Sequence, residues 1–273
     1  MSETPASLPS PQDRPGATLG VLDAVGMGWR LMMSDFWRLW VVAFVMMMVL
    51  MGAGMFGLPA QILVQPPLMA GLFYVIAKRI DGGRAEVGDL FVGFKERFGP
   101  SVIGMLPVTA AGLVFVVLIG LTMAALFVVG GGIIAAAEGE EEVVAVVVIA
   151  GLVLFIAIEM LLILGLCVFA IFFEFVPAAV WDHPESGWAA AKASMRLVRG
   201  HFASMIGFFL VFWAIGTAAN LIGMLACCVG VFFTTPVLIV WQFATLVYLY
   251  RSWTGRPLVQ AAASEADSTA GGN

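Results

Sequence analysis

Charge is the first thing this chain lacks. Only 11% of its 273 residues are Asp, Glu, Lys or Arg, while 62% are hydrophobic. No soluble domain of this length needs so much apolar side chain, so the class read from composition is a polytopic membrane protein. Histidine and cysteine are scarce too, with two and three residues. No HExxH, GxSxG, CxxC or phosphate-loop pattern is present, so no standard hydrolytic, redox or nucleotide chemistry has residues to stand on. The apolar runs are continuous rather than alternating, which excludes a β-barrel and predicts an all-α fold. The formal charge of −5 gives no reason to expect a nucleic-acid partner, and no cofactor is expected.

What the chain does contain is organised around Trp188 to Phe202, WAAAKASMRLVRGHF. At about 100° per residue, Trp188, Ala191, Met195, Val198 and Phe202 share one apolar face. Lys192, Arg196 and Arg199 form a basic stripe beside it, and small residues with Leu197 fill the back. Such a helix suits a membrane interface, aromatic face inward and cations at headgroup level. Leu22, Val25, Trp29, Met32 and Phe36 repeat the spacing 166 positions earlier, with Arg30 where Arg196 falls. Val87, Phe91, Phe94 and Phe98 repeat its last four positions, with Lys95 and Arg97 nearby. Each copy ends in Phe and runs into a long apolar segment. Three units are therefore read, each an interfacial helix followed by two spans.

In chain order, residues 1–18 form a polar tail with no apolar core, so no cleavable signal is expected and insertion relies on the first span. A single six-helix membrane domain is expected over 19–257, and a second disordered tail over 258–273. Spans fall at about 37–57, 62–79, 101–136, 143–175, 203–225 and 229–250. Interfacial helices are expected over 19–36, 86–98 and 188–202, with a linker over 174–187. A kink or break is expected at Pro66–Pro67, and breaks at Pro107 or Gly130–Gly132, because spans three and four exceed the roughly 20 residues that cross a bilayer core. Glu138 to Glu142 make an acidic turn between them, better suited to solvent than to a calcium loop. Cys167, Cys227 and Cys228 lie in or beside apolar segments, and a Cys227–Cys228 bridge would be strained.

Six spans put the termini and the loops after spans two and four on one side. All 13 Lys and Arg residues then share that side, and the other side has only the Glu cluster. The positive-inside rule makes the shared side cytoplasmic.

Four sets of polar residues stand out. Glu159 sits near the centre of span four, with Asn220 and Gln242 as its plausible intramembrane partners. A carboxyl there marks either a conduction path or helix association. Glu174 is expected to pair with Arg196 or Arg199. Asp182, His183 and Glu185 with His201 have no spacing that defines a metal or catalytic centre. The six cations Arg30, Lys95, Arg97, Lys192, Arg196 and Arg199 suit anionic headgroups, and equally suit simple topology anchors.

The segment from Phe173 to Gly255 carries FEFVPAAVWD, then AAAKASMRLVRGHF, a Cys-Cys-Val-Gly turn and TTPVLIVWQFATLVYLYR. With PPLMAGLFYVIAKRIDGG and DLFVGFKERFG before it, it resembles bacterial six-span membrane proteins related to the membrane domain fused to some glycerophosphodiester phosphodiesterases. The resemblance implies a six-helix fold and a bacterial inner membrane. It supplies no catalytic residue and no activity. The function expected is non-enzymatic: binding of anionic membrane lipid, or scaffolding with a membrane-protein partner or a second copy. The alternative is a small transporter or channel built on Glu159.

Overall fold

The computed structural model describes residues 19–136, 141–225 and 229–255. The expected tails at 1–18 and 258–273, Glu138, Glu140 and the Cys227–Cys228 turn lie outside them. Every regular element described is helical. The order is α1 (Val21–Ser34), α2 (Phe36–Met55), α3 (Leu58–Ile80), a 3-10 segment (Val87–Phe91), α4 (Val92–Glu96), α5 (Phe98–Ala136), α6 (Glu141–Ile171), α7 (Val176–Asp182), α8 (Gly187–Gly200), α9 (Phe202–Leu225) and α10 (Val229–Thr254). Six helical stretches among the described residues are long and apolar enough to cross a membrane. The architecture is thus all-α with several helices of membrane-crossing length.

Contacts divide the chain into two compact units, Met1–Met105 with Glu174–Asn273, and Leu106–Phe173. The second unit is the body of α5 and α6, and its surface is almost wholly apolar. In the most apolar window of the α5 span no residue is buried, and in that of the following span only 6% are. Side chains such as Phe127, Val128, Leu161 and Leu164 stand outward. Lipid tails solvate such a surface; water does not.

Within the first unit one theme recurs three times: a short leading element, a corner residue and the start of a long helix. Under a shift of 166, α1 maps onto α8 residue for residue, and the start of α2 onto the start of α9. Burial follows the same shift. Ala24, Val25, Gly28 and Met32 are buried in α1, and Ala190, Ala191, Ser194 and Val198 in α8. A corner residue precedes each following helix. Asp35, Arg97 and His201 have φ/ψ of −147/47, −131/21 and −131/28, immediately before Phe36, Phe98 and Phe202. Residues in one conformation at matching places are a stronger mark of repetition than the few shared identities.

The copies interlock in a cycle. The leading helix α1 lies on α10, where Trp241 Nε1 donates to the Val25 carbonyl at 2.9 Å and the Trp29 and Trp241 rings are 4.7 Å apart. The 3-10 segment and α4 lie on α3. A Cβ on Gly71 would collide with the Leu90 carbonyl, and one on Gly93 with the Pro67 carbonyl. Finally α8 lies on α7, with the Phe175 amide donating to Ser194 Oγ at 3.2 Å. In each case the leading element covers the final helix of the copy before it. Corner side chains turn back to their own copy: Asp35 to Arg79 at 3.4 Å, Arg97 over the Trp181 ring at 5.3 Å, His201 stacked on Trp253 at 4.2 Å.

Several expectations need correcting. The buried strip of α1 and α8 joins part of the expected apolar face, Val25, Met32, Ala191 and Val198, to the small residues Ala24, Gly28, Ala190 and Ser194, and leaves out its aromatic edge. Leu22, Trp29 and Trp188 are 74%, 39% and 49% exposed. Gly, Ala and Ser let backbones approach closely, so they sit at the centre of the helix contact, while Trp29 leans on Trp241 at its edge and Trp188 stays half exposed. The second interfacial segment is not one helix. Asp89 accepts from the Glu86 amide at 3.1 Å and from Lys78 at 2.8 Å, which winds a 3-10 turn against α3 before α4 begins. The expected linker over 174–187 contains α7, in which Val176 to Trp181 are all buried. No break falls at the expected places: α3 continues through Pro66 and Pro67, and α5 through Pro107 and Gly130–Gly132. Glycine weakens a helix by about 1 kcal/mol without removing a hydrogen bond, so apolar context holds it together.

Candidate functional site

The cations sort into two groups according to what they touch. Lys78, Arg79 and Arg251 are committed to internal ion pairs. Lys78 meets Asp89 at 2.8 Å, Arg79 meets Asp35, and Arg251 grips both Asp81 oxygens at 2.7 Å. The last pair is bidentate, the strong geometry for a guanidinium on a carboxylate. It ties the end of α10 to the end of α3.

Arg30, Lys95, Lys192, Arg196 and Arg199 behave differently. All five are exposed, and none has an ion-pair partner among the described residues. Helix geometry brings Lys192, Arg196 and Arg199 to one side of α8, opposite the buried Ala191, Ser194 and Val198. Lys192 Nζ lies 5.8 Å over the ring of Trp188. An outward Trp beside an unpaired Lys gives α8 an exposed face at once apolar and cationic. Arg30 occupies the Arg196 place on α1 and reaches only its own Gly26 carbonyl, at 3.4 Å.

Arg97 departs from this group. Its guanidinium covers Trp181, whose Nε1 donates to the Ala70 carbonyl at 3.1 Å and whose ring lies 5.1 Å from Tyr74. The charge is half-buried over an aromatic stack. Arg97 thus contacts the corner through Trp181 while its guanidinium stays partly exposed, with Nη1 donating to the Glu96 carbonyl at 3.3 Å.

The intramembrane polar set is divided between the two units. Glu159 is 8% exposed, and both carboxyl oxygens are buried without a hydrogen-bond partner. It belongs to the second unit; Asn220, exposed on α9, and Gln242, half-buried on α10, belong to the first. Glu174 forms no ion pair with Arg196 or Arg199 among the described residues.

A cavity of about 400 Å³ opens where the ends of α7 and α10 meet the middle of α8. Asp182, His183, Ala193, Arg196, Tyr250 and Thr254 line it. The Tyr250 hydroxyl donates to Asp182 Oδ2 at 2.6 Å, and His183 Nδ1 stands 3.7 Å from Glu185. Sequence reading placed Asp182 and His183 together but missed Tyr250 and Thr254. No spacing signals a cavity assembled from three separate helices. Among the described residues no group of three or more His, Cys, Asp or Glu side chains is placed to hold a metal ion.

No family model, curated protein or solved structure matches this chain.

Proposed function

We propose that this chain is a non-enzymatic, six-span protein of a bacterial inner membrane whose exposed cations bind anionic phospholipid headgroups on the cytoplasmic side. The observation that carries the reading is the sorting of the cations. Lys78, Arg79 and Arg251 are held by internal carboxylates and Arg38 stands 3.7 Å from Asp35, while Arg30, Lys95, Lys192, Arg196 and Arg199 face outward with no ion-pair partner among the described residues. A surface cation near an anionic leaflet contributes about 1 kcal/mol, so five of them outweigh any single contact. The exposed Trp188, Trp29 and Trp37 support an interfacial depth for the same elements. Cytoplasmic termini follow from the location of every Lys and Arg on one side of a six-span path. The resemblance to bacterial six-span proteins supports the same membrane.

Native mass spectrometry of the protein released from its own membrane tests the reading. Retained anionic lipid should fall when Arg196→Gln and Arg199→Gln are combined in a folded protein. Unchanged retention overturns it. A partner protein, or a second copy, scaffolded by the same surface would remain bound in that experiment and be weighed directly.

A second reading, a small transporter or channel, rests on Glu159, a carboxyl buried without a partner in an apolar helix. Proton or cation flux in vesicles that disappears in Glu159→Gln would favour it over the lipid reading.

A further inference from the structure

The cavity between α7, α8 and α10 combines opposite charges that do not meet. Arg196 and Asp182 both line it, yet no ion pair joins them. Asp182 is oriented rather than neutralised: the buried Tyr250 hydroxyl donates to one oxygen at 2.6 Å. Tyr250 is itself positioned by α10, and Thr254 Oγ1 donates to its carbonyl at 2.7 Å one turn later. A carboxylate is therefore fixed at one wall and a free guanidinium projects at another. The volume, about 400 Å³, falls in the range of small-molecule pockets, roughly 300–1,000 Å³.

A purely anionic ligand would be drawn to Arg196 and repelled by Asp182 and Glu185. A purely cationic one would meet the reverse. A ligand carrying phosphate and primary ammonium a few bonds apart satisfies both walls at once. Phosphate accepts hydrogen bonds from the Arg196 guanidinium and from a ring N–H of His183. The ammonium donates to Asp182, which accepts through its carboxylate. A quaternary ammonium has no N–H to give and is bulkier, so the cavity discriminates against it.

We infer that this cavity is a stoichiometric site for a zwitterionic phosphate–ammonium group of the phosphoethanolamine type, sharing Arg196 with the looser anionic contacts along α1, α4 and α8 but distinguished from them by Asp182. The inference rests on the proposed reading of Arg196 as a headgroup-facing residue. The group has two sources, the headgroup of a phosphatidylethanolamine lipid or a soluble phosphoethanolamine. The position of Arg196 on the same exposed stripe as Lys192 and Arg199, about two turns beyond the exposed Trp188, favours the lipid.

The test uses the full chain in mild detergent, titrated with short-chain phosphatidylethanolamine, phosphatidylcholine, phosphatidylglycerol and free O-phosphoethanolamine, with bound lipid counted by native mass spectrometry. One phosphatidylethanolamine should bind about tenfold tighter than phosphatidylcholine. Asp182→Asn, which keeps an oxygen for the Tyr250 hydroxyl, should abolish that preference while leaving phosphatidylglycerol retention unchanged. Ala193→Phe, which fills the cavity, should lose the single tight site as well. Competition by O-phosphoethanolamine at similar affinity would assign the site to the soluble source, and its absence to the lipid. Equal binding of the ethanolamine and choline lipids to the wild-type chain, or a preference that survives Asp182→Asn in a folded protein, overturns the inference. Loss of phosphatidylglycerol retention on removing Lys192 and Arg199, with ethanolamine selectivity absent, would overturn this site alone. The converse result would overturn the anionic-lipid reading alone.

Discussion

Gly71 and Gly93 show how much a single atom decides in this protein. Each stands where a Cβ would run into backbone, not into a side chain that can swing away. Gly71→Ala is therefore expected to force α3 and the 3-10 segment apart, costing about 1–3 kcal/mol by overpacking. A thermal melt in detergent should show a clear drop, whereas Gly120→Ala, at a place with open space, should not. Arg97 and Lys95 form a second contrast two residues apart. Arg97→Gln removes a cation from over Trp181, a contact worth about 0.5–2 kcal/mol, and should lower the melting temperature. Lys95→Gln removes only an exposed charge and should leave stability alone while weakening anionic lipid retention. At Glu159 the buried carboxyl lacks a partner, and an apolar residue of similar size removes that burden. Glu159→Leu should raise the melting temperature and keep lipid retention. A loss of flux in the same variant would support the transport reading.

At the scale of the element, α8 divides its two tasks between two faces. The small residues Ala190, Ala191 and Ser194 dock it on its neighbours, and Lys192, Arg196 and Arg199 remain free. Replacing all three cations with Gln should cut anionic lipid affinity about fivefold per residue, at about 1 kcal/mol each. Because none is ion-paired among the described residues, unfolding should be unchanged, which chemical denaturation of the variant checks. Much of this was legible beforehand. Helix periodicity placed the three cations on one stripe, and the 166-residue shift matched α1 to α8. The orientation of the helix about its axis was not legible. Periodicity says which residues share a face, but a membrane protein has no rule that the most apolar face turns inward, since lipid accepts Trp188 as readily as a helix does. The short helix α7 escaped for a related reason. Glu174, Pro177, Asp182 and Pro184 look like a linker, yet Pro177 sits in the first turn, where proline costs nothing, and the charged residues flank a wholly buried stretch.

For the whole molecule, the sequence's strongest statement concerned sidedness, and it came from counting cations rather than from any motif. If six spans carry all cations to one side, the turn at Phe56 and the loop at Arg84 lie on opposite faces. In a cysteine-free background, Phe56→Cys should react with a membrane-impermeant maleimide from the periplasm, and Arg84→Cys only after the membrane is opened. Both positions are exposed, so accessibility within the protein does not confuse the result. The closed cycle, in which each leading element covers the final helix of the preceding copy, could not be read from the chain. It depends on pairings such as Trp241 with Val25, more than two hundred residues apart, and on corner geometry at Asp35, Arg97 and His201 that has no shared residue type.

The most direct measurement of the central claim is the thermal stability of the purified chain with and without added anionic lipid. A ligand that binds the folded state raises its melting temperature by mass action. Phosphatidylglycerol should raise that of the wild-type chain in a salt-sensitive manner, and should fail to do so when Arg30, Lys95, Lys192, Arg196 and Arg199 are all replaced by Gln. An equal rise in the two proteins would contradict the account.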